Sequence, residues 1–134
     1  MKFIADFHIH SHYSRATSKQ LVPEYLELFG RKKGINVIGT GDFTHPGWLN
    51  ELHEKLEPAE AGLFKLKDEF RLQEKGPSGT VRFLLSSEIS NIYKKNGKTR
   101  KVHNVICAPD FDTVHKINQK LERIGGNLKS DGRP

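Results

Sequence analysis

Cysteine is almost absent from this 134-residue chain, and the single Cys107 excludes both an intrachain disulfide framework and a cysteine-rich zinc knuckle. Because it lies in the apolar run Val105-Ile106-Cys107-Ala108, a buried structural thiol is expected there, ahead of a reactive or ligand role. Long apolar stretches are scarce too. The run from Val81 to Leu85 is interrupted by Arg82 and falls far short of the roughly 20 residues that span a bilayer. A soluble protein is expected. The start, Met1-Lys2-Phe3-Ile4-Ala5, meets Asp6 and His8 at once and lacks the apolar core of a secretory signal, so the expected compartment is the cytoplasm. No glycine-rich phosphate loop ending in Lys-Ser or Lys-Thr occurs, which leaves an NTPase reading unsupported. There are no internal repeats. Length is also in short supply, because a (β/α) barrel normally takes roughly 250 residues. The final stretch from Asn127 to Pro134 ends without a closing element and reads as a connection cut before its next unit.

Positive charge is what the chain has in excess: 22 Lys and Arg stand against 16 Asp and Glu, for a formal net charge of +6. An excess of that size suits a polyanionic partner without establishing one. It is partly localised. Lys94, Lys95, Lys98, Arg100 and Lys101 follow one another with no acid among them, whereas Glu51 to Glu60 is mixed and acid-rich.

Strands and helices alternate through the first part, the pattern of a parallel α/β arrangement. A first strand is expected over Lys2 to His10. Pro23 opens a helix whose apolar face is Tyr25, Leu26, Leu28 and Phe29 and which stops at Lys32-Lys33-Gly34. Ile35 to Thr40 is a second strand, followed by the loop Gly41 to Pro46 and a short helix from Trp48. A further helix is expected from about Gly62 to Gln73, where Leu63, Leu66, Phe70 and Gln73 roughly share a face, and Gly76-Pro77-Ser78-Gly79 breaks the chain. Val81 to Ser90 is a third strand running into a hairpin, since Asn96-Gly97 is a strong turn signal between Ile92-Tyr93 and Val102-His103. Asp112 can cap a last helix, with Val114, Ile117, Leu121 and Ile124 at helical spacing and Gly125-Gly126 as its stop.

The chemistry sits at the strand ends. Alternation along a strand puts Asp6, His8 and His10 on one face, so two imidazoles can converge on one ion. A His-x-His pair alone is a weak signal, but this one ends a strand, where (β/α) architectures place their sites. The polar loop Ser11-His12-Tyr13-Ser14 follows, and Arg15-Ala16-Thr17-Ser18 adds donors suited to phosphate oxygens. The second strand delivers Asp42 and then His45, either of which has an ordinary reading as a turn or loop residue. The third runs from Leu84-Leu85 straight into Glu88, which needs a partner or an ion if buried. His103 opens the return arm of the hairpin and, alone, reads as a core or edge histidine. One polynuclear metal site accounts for all of these placements. Mixed imidazole and carboxylate ligands suit zinc, manganese or iron better than calcium, and such clusters activate water and neutralise a phosphoryl oxygen. His53 and His115, in helical patterns, are read as surface residues.

Asp6-Phe7-His8-Ile9-His10-Ser11-His12-Tyr13-Ser14 resembles the first motif of the PHP (polymerase and histidinol phosphatase) superfamily, Gly41-Asp42 the second, Ser87-Glu88 the bridging carboxylate, and His103 a further metal histidine. Ser11 to Ser18, Gly39 to Trp48 and Ser87 to Tyr93 together look like the N-terminal region of the endonuclease Q family, and the similarity covers essentially the whole chain. The resemblance implies an α/β fold that is the N-terminal part of a distorted PHP-type (β/α) barrel, with a basic β-hairpin insertion. It implies a DNA-repair nuclease cutting on the 5′ side of uracil, hypoxanthine, xanthine or abasic sites. Two or three divalent ions, zinc, manganese or magnesium, would be its cofactors. His8, His10, Asp42, His45, Glu88 and His103 would be metal ligands, with Glu88 and Asp42 catalytic. Most superfamily members have a histidine directly after the second-motif aspartate. Phe43 stands there, so Asp42 and the displaced His45 both remain open for that role. His12, Arg15, Tyr93, Lys94, Lys95, Lys98, Arg100 and Lys101 would contact DNA. The family pattern continues beyond Pro134, so a missing C-terminal half or a partner chain would complete the site. A small-molecule phosphatase of the histidinol-phosphate kind and a non-catalytic fragment are the alternatives. The bland reading of the basic hairpin is a solvated one whose lysines discourage edge pairing.

Overall fold

In the computed structural model, residues 2–73 and 79–130 are described. The apolar run Val37–Gly39 forms β2 at the middle of a parallel set, flanked by β1 (Ala5–Asp6) and β5 (Arg82–Lys95). Ala5 lies opposite Val37 and Asp6 opposite Ile38, while Val37, Ile38 and Gly39 face Arg82, Phe83 and Leu84. Beyond β5 the sheet turns antiparallel. β4 (Phe64–Leu66) pairs with β5 through Phe64 and Phe83, and β3 (Leu56–Pro58) pairs with β4. The result is a mixed sheet in the order β1-β2-β5-β4-β3, with β6 (Lys98–Ala108) paired antiparallel along β5.

Among the described residues, three α-helices pack around it. Helix α1 (Pro23–Lys33) has proline in its first turn, Arg31, Lys32 and Lys33 in its last, and closes on Gly34, as expected. Helix α2 (Pro46–Lys55) follows the loop after β2, and α3 (Phe111–Arg123) follows β6. The α3 cap is a correction. Asp110, rather than Asp112, accepts a hydrogen bond from the Thr113 backbone N–H at 2.7 Å.

Two further expectations change. The helix read over Gly62 to Gln73 is instead β4 and the 3-10 turn Asp68–Phe70, with β3 just before it. Leu63, Leu66 and Phe70 imitate a helical face, yet the period that is buried is two: Phe64 and Leu66 point into the core and Lys65 out. The strand read over Lys2 to His10 keeps ladder pairing only at Ala5 and Asp6. Residues 7–10 continue beside β2 and the loop after it without joining the ladder. The expected break at residues 76–78 and the end at 131–134 lie outside the described residues.

The core runs between the sheet and α2 and α3, centred on Ile38, Phe43, Trp48, Leu52, Phe83, Leu85 and Val114. Trp48 is fully buried, and its indole N–H donates to the carbonyls of Thr40 (3.2 Å) and Gly41 (2.9 Å). Apolar burial and a satisfied polar tip thus fix the backbone that leads into Asp42. Past Ser90 and His103 the β5–β6 hairpin leaves this core and is exposed on both faces, closing at Asn96 (φ 54°) and Gly97 (φ 72°). Positive φ at both central residues is what a two-residue hairpin turn requires. Cys107, read as buried, is exposed, because in this arm Ile106 and Ala108 turn toward the core and Cys107 turns away.

Candidate metal centre

Strand direction brings the ligand-type residues together. β1, β2 and the start of β5 run parallel, so His8 and His10 after β1, Asp42 after β2 and Glu88, beyond the stretch of β5 paired with β2, gather at one edge of the sheet. Close approach there requires glycine. A Cβ on Gly41 would meet the Ile9 carbonyl oxygen at 2.3 Å, and its φ of +63° is in the left-handed region.

His8, His10 and Glu88 are the group of three or more among the described residues that could hold an ion, with ligand atoms all within 4.8 Å of one another. His8 Nε2 lies 2.5 Å and His10 Nε2 3.3 Å from Oε2 of Glu88. The other oxygen of Glu88, Oε1, is in contact with His103 Nδ1. Register explains that contact. Glu88 is directly opposite Val105 and His103 opposite Ser90, so Glu88 and His103 are diagonal neighbours on one face of the hairpin. Burial raises the Glu88 carboxyl pKa, but hydrogen bonds from His103 and then His8 outweigh it and leave the group below its ordinary range.

These residues fit a divalent ion. At the usual zinc–nitrogen distance, two ligand atoms of a tetrahedral site lie about 3.4 Å apart, close to the His10–Glu88 spacing. The carboxylate faces two imidazoles with Oε2 and a third with Oε1.

Asp42 stands behind this group. Its Oδ1 pairs with His10 Nδ1 at 3.1 Å, and its Oδ2 accepts from the Ser11 backbone N–H (2.7 Å), the Ser11 hydroxyl (2.8 Å) and the Ser14 hydroxyl (2.9 Å). A carboxylate on one ring nitrogen selects the tautomer that turns the other nitrogen's lone pair toward the site. His45 takes a different place. It precedes α2, stacks on Tyr13 with ring centroids 4.2 Å apart, and its buried Nδ1 has no hydrogen-bond partner among the described residues. Burial, opposed by the Asp42 carboxylate, lowers its pKa, and Lys129 and His12 push the same way.

Of the remaining residues read as DNA contacts, His12 is half-buried with Nε2 2.8 Å from Glu51 of α2, and Arg15 is exposed on the adjoining loop. Tyr93, Lys94, Lys95, Lys98, Arg100 and Lys101 are all exposed at the far end of the hairpin. Ser11, Ser14 and Glu51 were missed as supporting residues by sequence reasoning. Ser11 and Ser14 lie within the motif that carries the histidines, which is the signal that could have found them. Glu51, in a separate helix, had none.

The fold and site define a mixed α/β protein with an imidazole–carboxylate cluster at the C-terminal ends of its parallel strands. No protein-family model matches the chain. It is similar to an uncharacterized protein of Methanocaldococcus jannaschii, MJ0043, at 31% identity over 129 residues, which is 96% of this chain and 13% of that relative. Two solved structures are similar to it at 29% identity and a TM-score of 0.72, each over 97% of this chain and 28% of theirs: the lesion-specific endonuclease PfuEndoQ from Pyrococcus furiosus, and endonuclease Q in complex with a 27-mer duplex substrate with an abasic lesion at the active site. The chain therefore resembles a portion of endonuclease Q and spans about an eighth of the curated relative it matches. Among the described residues, no helix is long and apolar enough to cross a membrane.

Proposed function

We propose that this protein is a metal-dependent endonuclease of DNA repair, of the endonuclease Q kind, and that its sheet is the first section of a PHP-type barrel. One observation carries the reading: the His8, His10 and Glu88 cluster, joined by His103, occupies the strand-end edge of a fold similar over nearly its whole length to part of a lesion-specific endonuclease. His8, His10 and Glu88 would hold one zinc, manganese or magnesium ion, and His103 with Oε1 of Glu88 a second. Such ions, when bound, supply Lewis acidity toward a phosphoryl oxygen and a lowered pKa for bound water.

The chain's own residues do the rest. Asp42 accepts a hydrogen bond from His10 Nδ1–H, and the three donors from Ser11 and Ser14 hold that carboxylate still. We therefore assign Asp42 to positioning His10, and His45 to the Tyr13 stack beside the site. Glu88 stays ionised and so remains acceptor-only. Arg15 and the hairpin cations Lys94, Lys95, Lys98, Arg100 and Lys101 would meet backbone phosphates, and the exposed Tyr93 ring offers a base a stacking face. Any further ligands would come from the remainder of a longer protein or from a partner chain.

The test is a nicking assay with the full-length natural protein on duplexes carrying one deoxyuridine, deoxyinosine or abasic site, with manganese, magnesium or zinc. A single cut on the 5′ side of the lesion, abolished by Glu88→Gln, is expected. Absence of lesion-dependent cutting with every ion would contradict the proposal.

A further inference from the structure

A second pair of metal-binding side chains converges well away from the strand-end cluster in sequence. His53 lies in the last turn of α2 and His115 in the second turn of α3, and their Nε2 atoms are 3.3 Å apart. The rings meet edge to edge, with centroids 5.5 Å apart and planes inclined by 22°. His53 is held in that position. It stacks on Phe111 at 3.7 Å, and Phe111 packs edge-on against the buried Phe64 at 5.0 Å, so the imidazole is tied through two aromatic contacts to the core. Both histidines are exposed, so an ion and its waters can reach the pair from solvent.

Two neutral imidazoles facing each other can share one hydrogen bond, which uses one N–H and one lone pair. A cation between them would use both lone pairs. Zinc–nitrogen bonds of about 2.0–2.1 Å in a tetrahedral arrangement set two ligand nitrogens about 3.4 Å apart, the spacing already present. Because the rings meet nearly head-on, each must tilt a little about its side-chain bonds, with both protons on Nδ1, to aim its lone pair at an ion seated beside the line between the nitrogens.

We propose that His53 and His115 form a second divalent-metal site, taking an imidazole-preferring transition ion with water in its remaining positions, and that the ion clamps α2 to α3. Copper is expected to bind more tightly than nickel or zinc. The two rings meet only when the helices are packed, so the ion binds the folded chain and raises its stability with concentration. The clamp acts on the helix that carries Glu51, the partner of His12, and that begins directly after His45.

Zinc and copper titrations of the chain test this, followed by calorimetry and thermal unfolding. His115→Ala, at an exposed position, should bind one ion fewer than the wild-type chain. A chain with His8→Ala and His10→Ala should still bind one ion, with a zinc-dependent rise in melting temperature. Copper in that chain should show electron-spin coupling to two imidazole nitrogens, lost when His115→Ala is added. The proposal is overturned if the His8→Ala, His10→Ala chain binds neither ion, or if His115→Ala binds as many ions as wild type. Neither result depends on nuclease activity.

Discussion

Glu88 and His103 of the metal-ligand cluster lie on the same two strands as the tip of the β5–β6 hairpin, yet cluster and tip are built in opposite ways. At the cluster, Asp42 is 6% and Glu88 9% exposed, although the His8 and His103 side chains are each 54% exposed, and the two carboxylates, on β5 and the loop after β2, meet partners on β6 and the loop after β1. At the tip, Ile92 is 50% and Tyr93 48% exposed, and five cations face solvent with no acid among residues 94–101. Under the proposed function, the difference separates two tasks. Carboxylates that gather several imidazoles need burial and fixed rotamers, because one misplaced oxygen changes a coordination distance. Contact with a flexible polyanion needs reach and charge, which an exposed ribbon supplies without core packing.

The largest effect should come from the core that holds the cluster's loop. Trp48→Ala removes a fully buried ring and both indole hydrogen bonds, and should cost about 3–5 kcal/mol in a urea unfolding titration. Asp42→Ala should come next. It frees the His10 tautomer, and metal affinity measured by calorimetry should fall about 10–100-fold. Retained affinity would mean that the two regions differ less in precision than their burial indicates.

Replacing Lys94, Lys95, Lys98, Arg100 and Lys101 with alanine should give the reverse result. Stability should change by no more than about 0.5 kcal/mol per position, while DNA affinity and the steepness of its salt dependence both fall. A large loss of stability would show that the tip is packed in solution.

The smallest effect concerns acid. Arg82 holds the exposed Glu60 carboxyl at about 2, well below its ordinary 4.5. A depressed folded-state value adds stability above about pH 4.5 that is lost as pH falls toward 2. Solvent screens this pair, so Glu60→Gln should flatten the acid limb of the stability curve only slightly.

Much of this was legible before any coordinates. Pro23 and Gly34 bound α1, and Asn96-Gly97 sets the hairpin register, from which the diagonal contact between Glu88 and His103 follows. His8, His10 and Glu88 were recognisable because ligand-type residues at three strand ends are hard to explain separately. What stayed hidden depends on packing between elements distant in sequence. Ser11 and Ser14 gather on Asp42 only through the path of the loop, and Glu51 reaches His12 only from α2. His53 and His115 looked like two unrelated surface residues because nothing local shows that α2 and α3 present them to each other. Residues 62–73 misled through a period, since Leu63, Leu66 and Phe70 fit a helix while Phe64 and Leu66 fill a sheet. Cys107 misled through composition, because an apolar run in an arm flanking solvent need not be buried on both faces.

The central claim is that His8, His10 and Glu88 together form a metal centre. Anomalous diffraction at the zinc edge, from crystals soaked in zinc, tests it most directly. A peak within bonding distance of His8 Nε2, His10 Nε2 and a Glu88 oxygen, absent in Glu88→Gln, is the predicted result. No peak there, with the three side chains left unchanged by zinc, would contradict the account.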